Sequence, residues 1–85
     1  MTLEDLLAAG WEKEGEVLAK SFKFRNFSEA FGWMARVALA AEKADHHPDW
    51  SNSWNRVEVR LTTHSEKALT EKDVALASVM EKLAG

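Results

Sequence analysis

The sequence predicts an α+β domain in which three helices pack on one face of a four-stranded antiparallel sheet, in the order α-β-β-α-β-β-α. Three observations predict it. Two segments alternate apolar and polar residues around short turns, a long stretch between them carries apolar residues at helical spacing, and capped helical patterns stand at both ends. Hairpin connections make the strand pairs antiparallel, and the apolar stripes of the helices need one face of the sheet.

The first helix is predicted from Thr2, a capping residue with Asp5 three positions on, to Ala9, where Gly10 stops it. From Trp11 to Phe24 a turn at Glu14-Gly15-Glu16 separates two strands, the second with Leu18, Lys20, Phe22 and Phe24 on one parity. Lys20 interrupts the apolar side of that alternation. Asn26 then caps the strongest helix, with Glu29 at its third position and Phe27, Ala30, Phe31, Met34, Val37, Ala38 and Ala41 at helical spacing. It ends near His46, because the ring of Pro48 drives His47 out of the α region. A second hairpin follows, with Asp49 to Trp54 as its short first strand, a turn at Asn55-Arg56 and alternation through Val57, Val59 and Leu61. Thr70 with Asp73 is a capping box for the last helix, whose stripe is Leu76, Val79, Met80 and Leu83.

Eighty-five residues fit a single domain spanning 1–85, and 46% hydrophobic composition gives it a core. A domain this small gains stability by burying surface against a second copy, so an oligomer is expected. Net charge is −3 with basic residues scattered, which disfavours nucleic-acid binding. With no cysteine, neither disulfides nor thiolate metal sites can form. The acidic N-terminus does not read as a secretory signal and no apolar run spans a bilayer, so the expectation is a soluble cytosolic protein without membrane attachment.

All three histidines fall between positions 46 and 64, two of them adjacent beside the only proline, in Glu42-Lys43-Ala44-Asp45-His46-His47-Pro48-Asp49-Trp50. On a helix reaching His46, Glu42 lies one turn behind it and Asp45 next to it, so a carboxylate can reach an imidazole, select its tautomer and favour its protonated form. Such a group suits proton transfer near neutral pH. His64 follows the strand Val57–Thr63 at the start of a polar connection, where loops present chemistry. Asp73 is explained by capping alone, yet the stripe of the last helix extended backwards passes through it, so it can face inward as well. Trp11 and Trp33 read as core or interface residues, whereas Trp50 and Trp54 flank the strand after the histidine pair, where a flat conjugated ligand would stack.

Together, Glu42, three residues, His46-His47-Pro48, five residues, Trp54, nine residues, His64, eight residues and Asp73 form a pattern that resembles the signature of the pterin-4a-carbinolamine dehydratases. The resemblance extends to Asn26-Phe27, Ala30-Phe31, Trp33-Met34, Asp45, Asp49-Trp50, Asn55, Val57 and Thr63. It implies a four-stranded antiparallel sheet with helices on one side, assembled as a homodimer or homotetramer. It also implies dehydration of the 4a-hydroxytetrahydropterin left by an aromatic amino acid hydroxylase to a quinonoid dihydropterin, the 4a-hydroxytetrahydrobiopterin dehydratase reaction of tetrahydrobiopterin recycling. The pterin is then the substrate, and no cofactor or metal is expected. By this resemblance His46, His47 and His64 are the active-site histidines, supported by Glu42, Asp45 and Asp73, and Pro48, Trp50, Thr63 and Ser65 join the histidines around the substrate. His46 and His64 are expected to transfer protons while His47 holds the pterin, with the order of acid and base left open.

Two other functions compete. Some members of that family are dimerisation partners of a homeodomain transcription factor, and the stripe Leu76-Val79-Met80-Leu83 offers a partner helix a surface, although core packing is its commoner use. Three histidines with carboxylates also resemble a zinc hydrolase site, but adjacent His46 and His47 are poorly spaced to share one ion.

Overall fold

A computed structural model describes residues 1–85. The elements are α1 (Leu3–Ala8), β1 (Glu12–Glu14), β2 (Val17–Lys23), α2 (Phe27–Ala44), β3 (Asp49–Ser53), β4 (Arg56–Leu61) and α3 (Glu71–Ala84). The strands form one sheet in the order β1-β2-β4-β3, antiparallel throughout. The predicted order and fold class therefore hold.

Register decides which residues meet the helices. Leu18 pairs with Leu61, Phe22 with Val57, and Trp50 with Val59, so one face of the sheet is apolar. Against it α2 sets Ala30, Trp33, Val37 and Ala41, and α3 sets Val74, Leu76, Ala77 and Met80. The stripe of α3 thus faces the core. Rings fill the middle layer, with Phe22 and Phe24 at 4.6 and 5.1 Å from Trp33 and Trp50 at 6.2 Å. The Trp33 indole donates to the Met80 carbonyl at 3.1 Å, so its burial leaves no polar atom unmet.

Lys20 keeps its place in the alternation by reaching across the core edge. Its Nζ lies 2.6 Å from Glu81 Oε2 and 2.7 Å from the Ala9 carbonyl, and Glu81 also accepts from the Trp11 indole at 2.9 Å. A polar group on an inward parity is stable when its hydrogen bonds are made there.

One boundary and part of the predicted core shift. The second hairpin turns at Trp54-Asn55, with Arg56 already paired to Ser53, because Trp54 takes a positive φ of 49° and the half-turn is complete one residue early. On α2, Phe27, Phe31 and Ala38 are exposed although they share the helical spacing of the core stripe, and Trp33 takes the place in the core. Both N-terminal caps of α1 and α3 are reciprocal boxes. In the first, the Thr2 backbone and side chain hydrogen bonds hold the Asp5 carboxyl below its ordinary value.

Candidate active site

The site is assembled where the ends of three elements meet. α2 stops because Asp45 adopts a left-handed conformation at φ 52°, with its N–H bonded to the Glu42 carbonyl and the next N–H, of His46, to the Ala41 carbonyl. This is the Schellman closure, usually built on glycine, and it throws His46 off the helix axis toward α3. Two residues beyond β4, Thr63 bridges Ala68 across a tight turn carrying His64 and Ser65. Thr70 then caps α3 and delivers Asp73 three residues later.

Asp73 is wholly buried and accepts from three directions. Its Oδ2 receives the Thr63 hydroxyl at 2.8 Å and the Thr70 N–H at 2.9 Å, while Oδ1 meets His46 Nε2 at 2.6 Å. Since Thr63 has given its only proton to Asp73, the 2.7 Å contact between Thr63 and Thr70 has Thr70 donating. With the Asp73 carboxylate as acceptor, Nε2 of His46 is the donating ring nitrogen and Nδ1 is the atom left free. The His46 side chain is only 10% exposed.

The other two imidazoles are paired at the surface. His47 Nε2 lies 2.9 Å from Glu42 Oε1, and His64 Nε2 lies 3.2 Å from Asp49 Oδ2. Glu42 therefore reaches His47 rather than His46, because the left-handed residue at 45 turns His46 away from the helix face that Glu42 occupies. Both surface pairs orient rings more than they stabilise the fold.

A cavity of about 220 Å³ opens between these elements, lined by Asp45, His46, His47, Thr63, His64, Ser65 and Lys72. The three histidines foreseen from the sequence thus converge, together with Asp45, Thr63 and Ser65. Asp73 stands behind His46, and Glu42 behind His47. Pro48 and Trp50 are not part of the lining; the Trp50 ring packs on Trp33 in the core, and Trp54 stands exposed at the hairpin turn. Lys72 was not anticipated. Its only sequence signal is a basic residue in the first turn of a helix, where acids are favoured. No three of the His, Asp and Glu side chains gather closely enough to act as a set of metal ligands.

Comparison with known proteins is decisive at the level of family. A family model described as Pterin 4 alpha carbinolamine dehydratase matches residues 1–83. The chain belongs to the pterin-4-alpha-carbinolamine dehydratase family. Curated relatives from Brucella ovis and Brucella melitensis, each named provisionally as a pterin-4-alpha-carbinolamine dehydratase, are 55% identical over 78 residues, covering 89% of this chain and 80% of theirs. A Brucella melitensis crystal structure titled transcriptional coactivator/pterin dehydratase superposes with a TM-score of 0.90 at 49% identity, covering 100% of this chain and 98% of that one. A pterin dehydratase-like protein described as a RuBisCO assembly factor of the α-carboxysome shares the fold, at a TM-score of 0.78 and 24% identity over 89% of this chain and 90% of its own. In this pterin-4-alpha-carbinolamine dehydratase family member, the three histidines of the sequence pattern line one polar cavity. No helix is long and apolar enough to cross a membrane.

Proposed function

We propose that this chain dehydrates a 4a-hydroxytetrahydropterin to the quinonoid dihydropterin and water, as a step in tetrahydrobiopterin recycling after an aromatic amino acid hydroxylase. The observation that carries the reading is the convergence of His46, His47 and His64 on one polar cavity, with His46 fixed by a buried carboxylate. Family membership supports the same substrate class.

The reaction needs two proton movements. A protonated imidazole gives its proton to the C4a hydroxyl, the C4a–O bond breaks and water leaves, while the N5 lone pair closes the C4a=N5 bond. A neutral imidazole then takes the N5 proton. His46 serves one role through Nδ1, since Asp73 occupies Nε2, and His64 the other; His47 holds the ring system. Asp73 acts through His46, fixing its tautomer as a buried carboxylate does for a catalytic imidazole. The ring nitrogen supplies the push that expels the hydroxyl, so neither a metal nor a covalent nucleophile is required.

Dehydration of synthetic 4a-hydroxytetrahydropterin, followed by absorbance with and without protein, tests the reading. Acceleration above the spontaneous rate that persists after exhaustive chelation is expected. No acceleration by folded protein overturns the dehydratase, and activity lost on chelation and restored by added metal moves the reading to a metal hydrolase.

A further inference from the structure

Of the seven residues lining the histidine cavity, the family resemblance accounts for six, Asp45, His46, His47, Thr63, His64 and Ser65; Lys72 is the seventh. Three observations bear on its position. It sits in the first turn of α3, where the helix dipole repels a cation. Its ammonium makes no ion pair or hydrogen bond within the chain, whereas each of the three histidines is paired with a carboxylate. Together with His46, it also lines a second, mostly apolar cavity of about 190 Å³ between α2 and α3, so the two residues share the lining of both cavities. A cation that works against helix electrostatics at the edge of the histidine cavity points to a functional position.

The inference rests on the pterin reading above. The pyrimidinone half of a pterin presents one carbonyl acceptor beside an N–H and an exocyclic amine, both donors. The cavity holds two charged groups without partners, the Lys72 ammonium, which only donates, and the Asp45 carboxylate, which only accepts. Each imidazole already has one ring nitrogen committed, and the Thr63 proton is spent on Asp73. We infer that Lys72 is a substrate-binding residue whose ammonium donates to the pterin carbonyl, with Asp45 accepting from the adjacent N–H and amine. This fixes the ring so that C4a and N5 face the histidines.

The role is one of ground-state and transition-state binding alike, and steady-state kinetics read it directly. Lys72→Met keeps the aliphatic stem and removes the charge. It is expected to raise KM by roughly 10–100-fold, the worth of a hydrogen bond to a charged group, with kcat changed by less than about twofold. Lys72→Arg restores most of the affinity. Binding of a 7,8-dihydropterin, which has the same pyrimidinone edge but no 4a-hydroxyl, followed by quenching of protein fluorescence, should weaken in parallel. Lys72 is exposed, and an unchanged melting temperature certifies the variant. Wild-type KM and wild-type dihydropterin affinity in folded Lys72→Met overturn the inference, as does a loss confined to kcat. Wild-type protein that neither binds the dihydropterin nor dehydrates the substrate overturns the pterin reading itself, an outcome distinct from the other two.

Discussion

His46 and His64 look equivalent in the sequence but differ in what surrounds them. His64 is 72% exposed at its side chain, so His64→Ala should change stability by under about 0.5 kcal/mol while slowing dehydration roughly 10²–10⁴-fold. His46→Ala should slow the reaction by a similar factor, but it also strips a partner from the buried Asp73 carboxylate, at a cost of about 1–3 kcal/mol. Melting curves and initial rates on both variants separate the two effects; equal stability of the two would show that the Asp73 pairing contributes nothing to the fold. If the imidazoles act as acid and base in one step, the double variant is barely slower than the worse single one, since groups working as a unit are not additive. Rates that multiply would mean independent roles.

At the scale of the element, the turns and caps placed the chemistry. The Thr70 hydroxyl serves as cap and as donor to Thr63, so Thr70→Ala is expected to cost about 1–2 kcal/mol, against about 1 kcal/mol for Asn26→Ala on α2. Denaturant unfolding of the pair would check the ranking. Asp45 ends α2 in a conformation that glycine prefers, at a strain of about 1 kcal/mol. Asp45→Gly should therefore leave stability unchanged or slightly raised while weakening pterin binding. A clear loss of stability would show that the aspartate side chain supports the helix end. Much of this was legible in the sequence, because capping boxes and the two hairpins are local signals, and Pro48 marked the end of α2 to within two residues. The partners of the histidines were not. Glu42 reads as the neighbour of His46 by helical spacing, yet one left-handed residue redirects His46 to a carboxylate 27 positions away. Trp50 reads as a stacking platform beside the histidines, and only strand register shows its ring turned to the core.

At the scale of the whole molecule, α2 raises a question of assembly. An 18-residue helix with Ala30, Trp33, Val37 and Ala41 inside ordinarily carries charge on its outer face. Here Phe27, Phe31 and Leu39 are 51%, 57% and 74% exposed, with Ala35 and Ala38 exposed at the same helical spacing. The Phe27 and Phe31 rings lie 5.8 Å apart and reinforce one apolar patch. Helical periodicity alone assigned Phe27 and Phe31 to the core, because a helix with two apolar faces gives one broad signal. The oligomer expected for so small a domain should join through the outer face of α2. Light scattering of the wild type at micromolar concentration should give at least twice the monomer mass. Phe31→Glu with Leu39→Glu places two like charges in the patch without touching the core, so it should yield a smaller, folded species. Retention of the full oligomer by that variant would move the contact to the exposed sheet edges β1 or β3, and a monomeric wild type would overturn the expectation. Because the histidine cavity is lined by residues of one chain, the dissociated variant should keep measurable dehydration. Complete loss of turnover in a folded monomer would instead show that the site depends on a neighbouring copy.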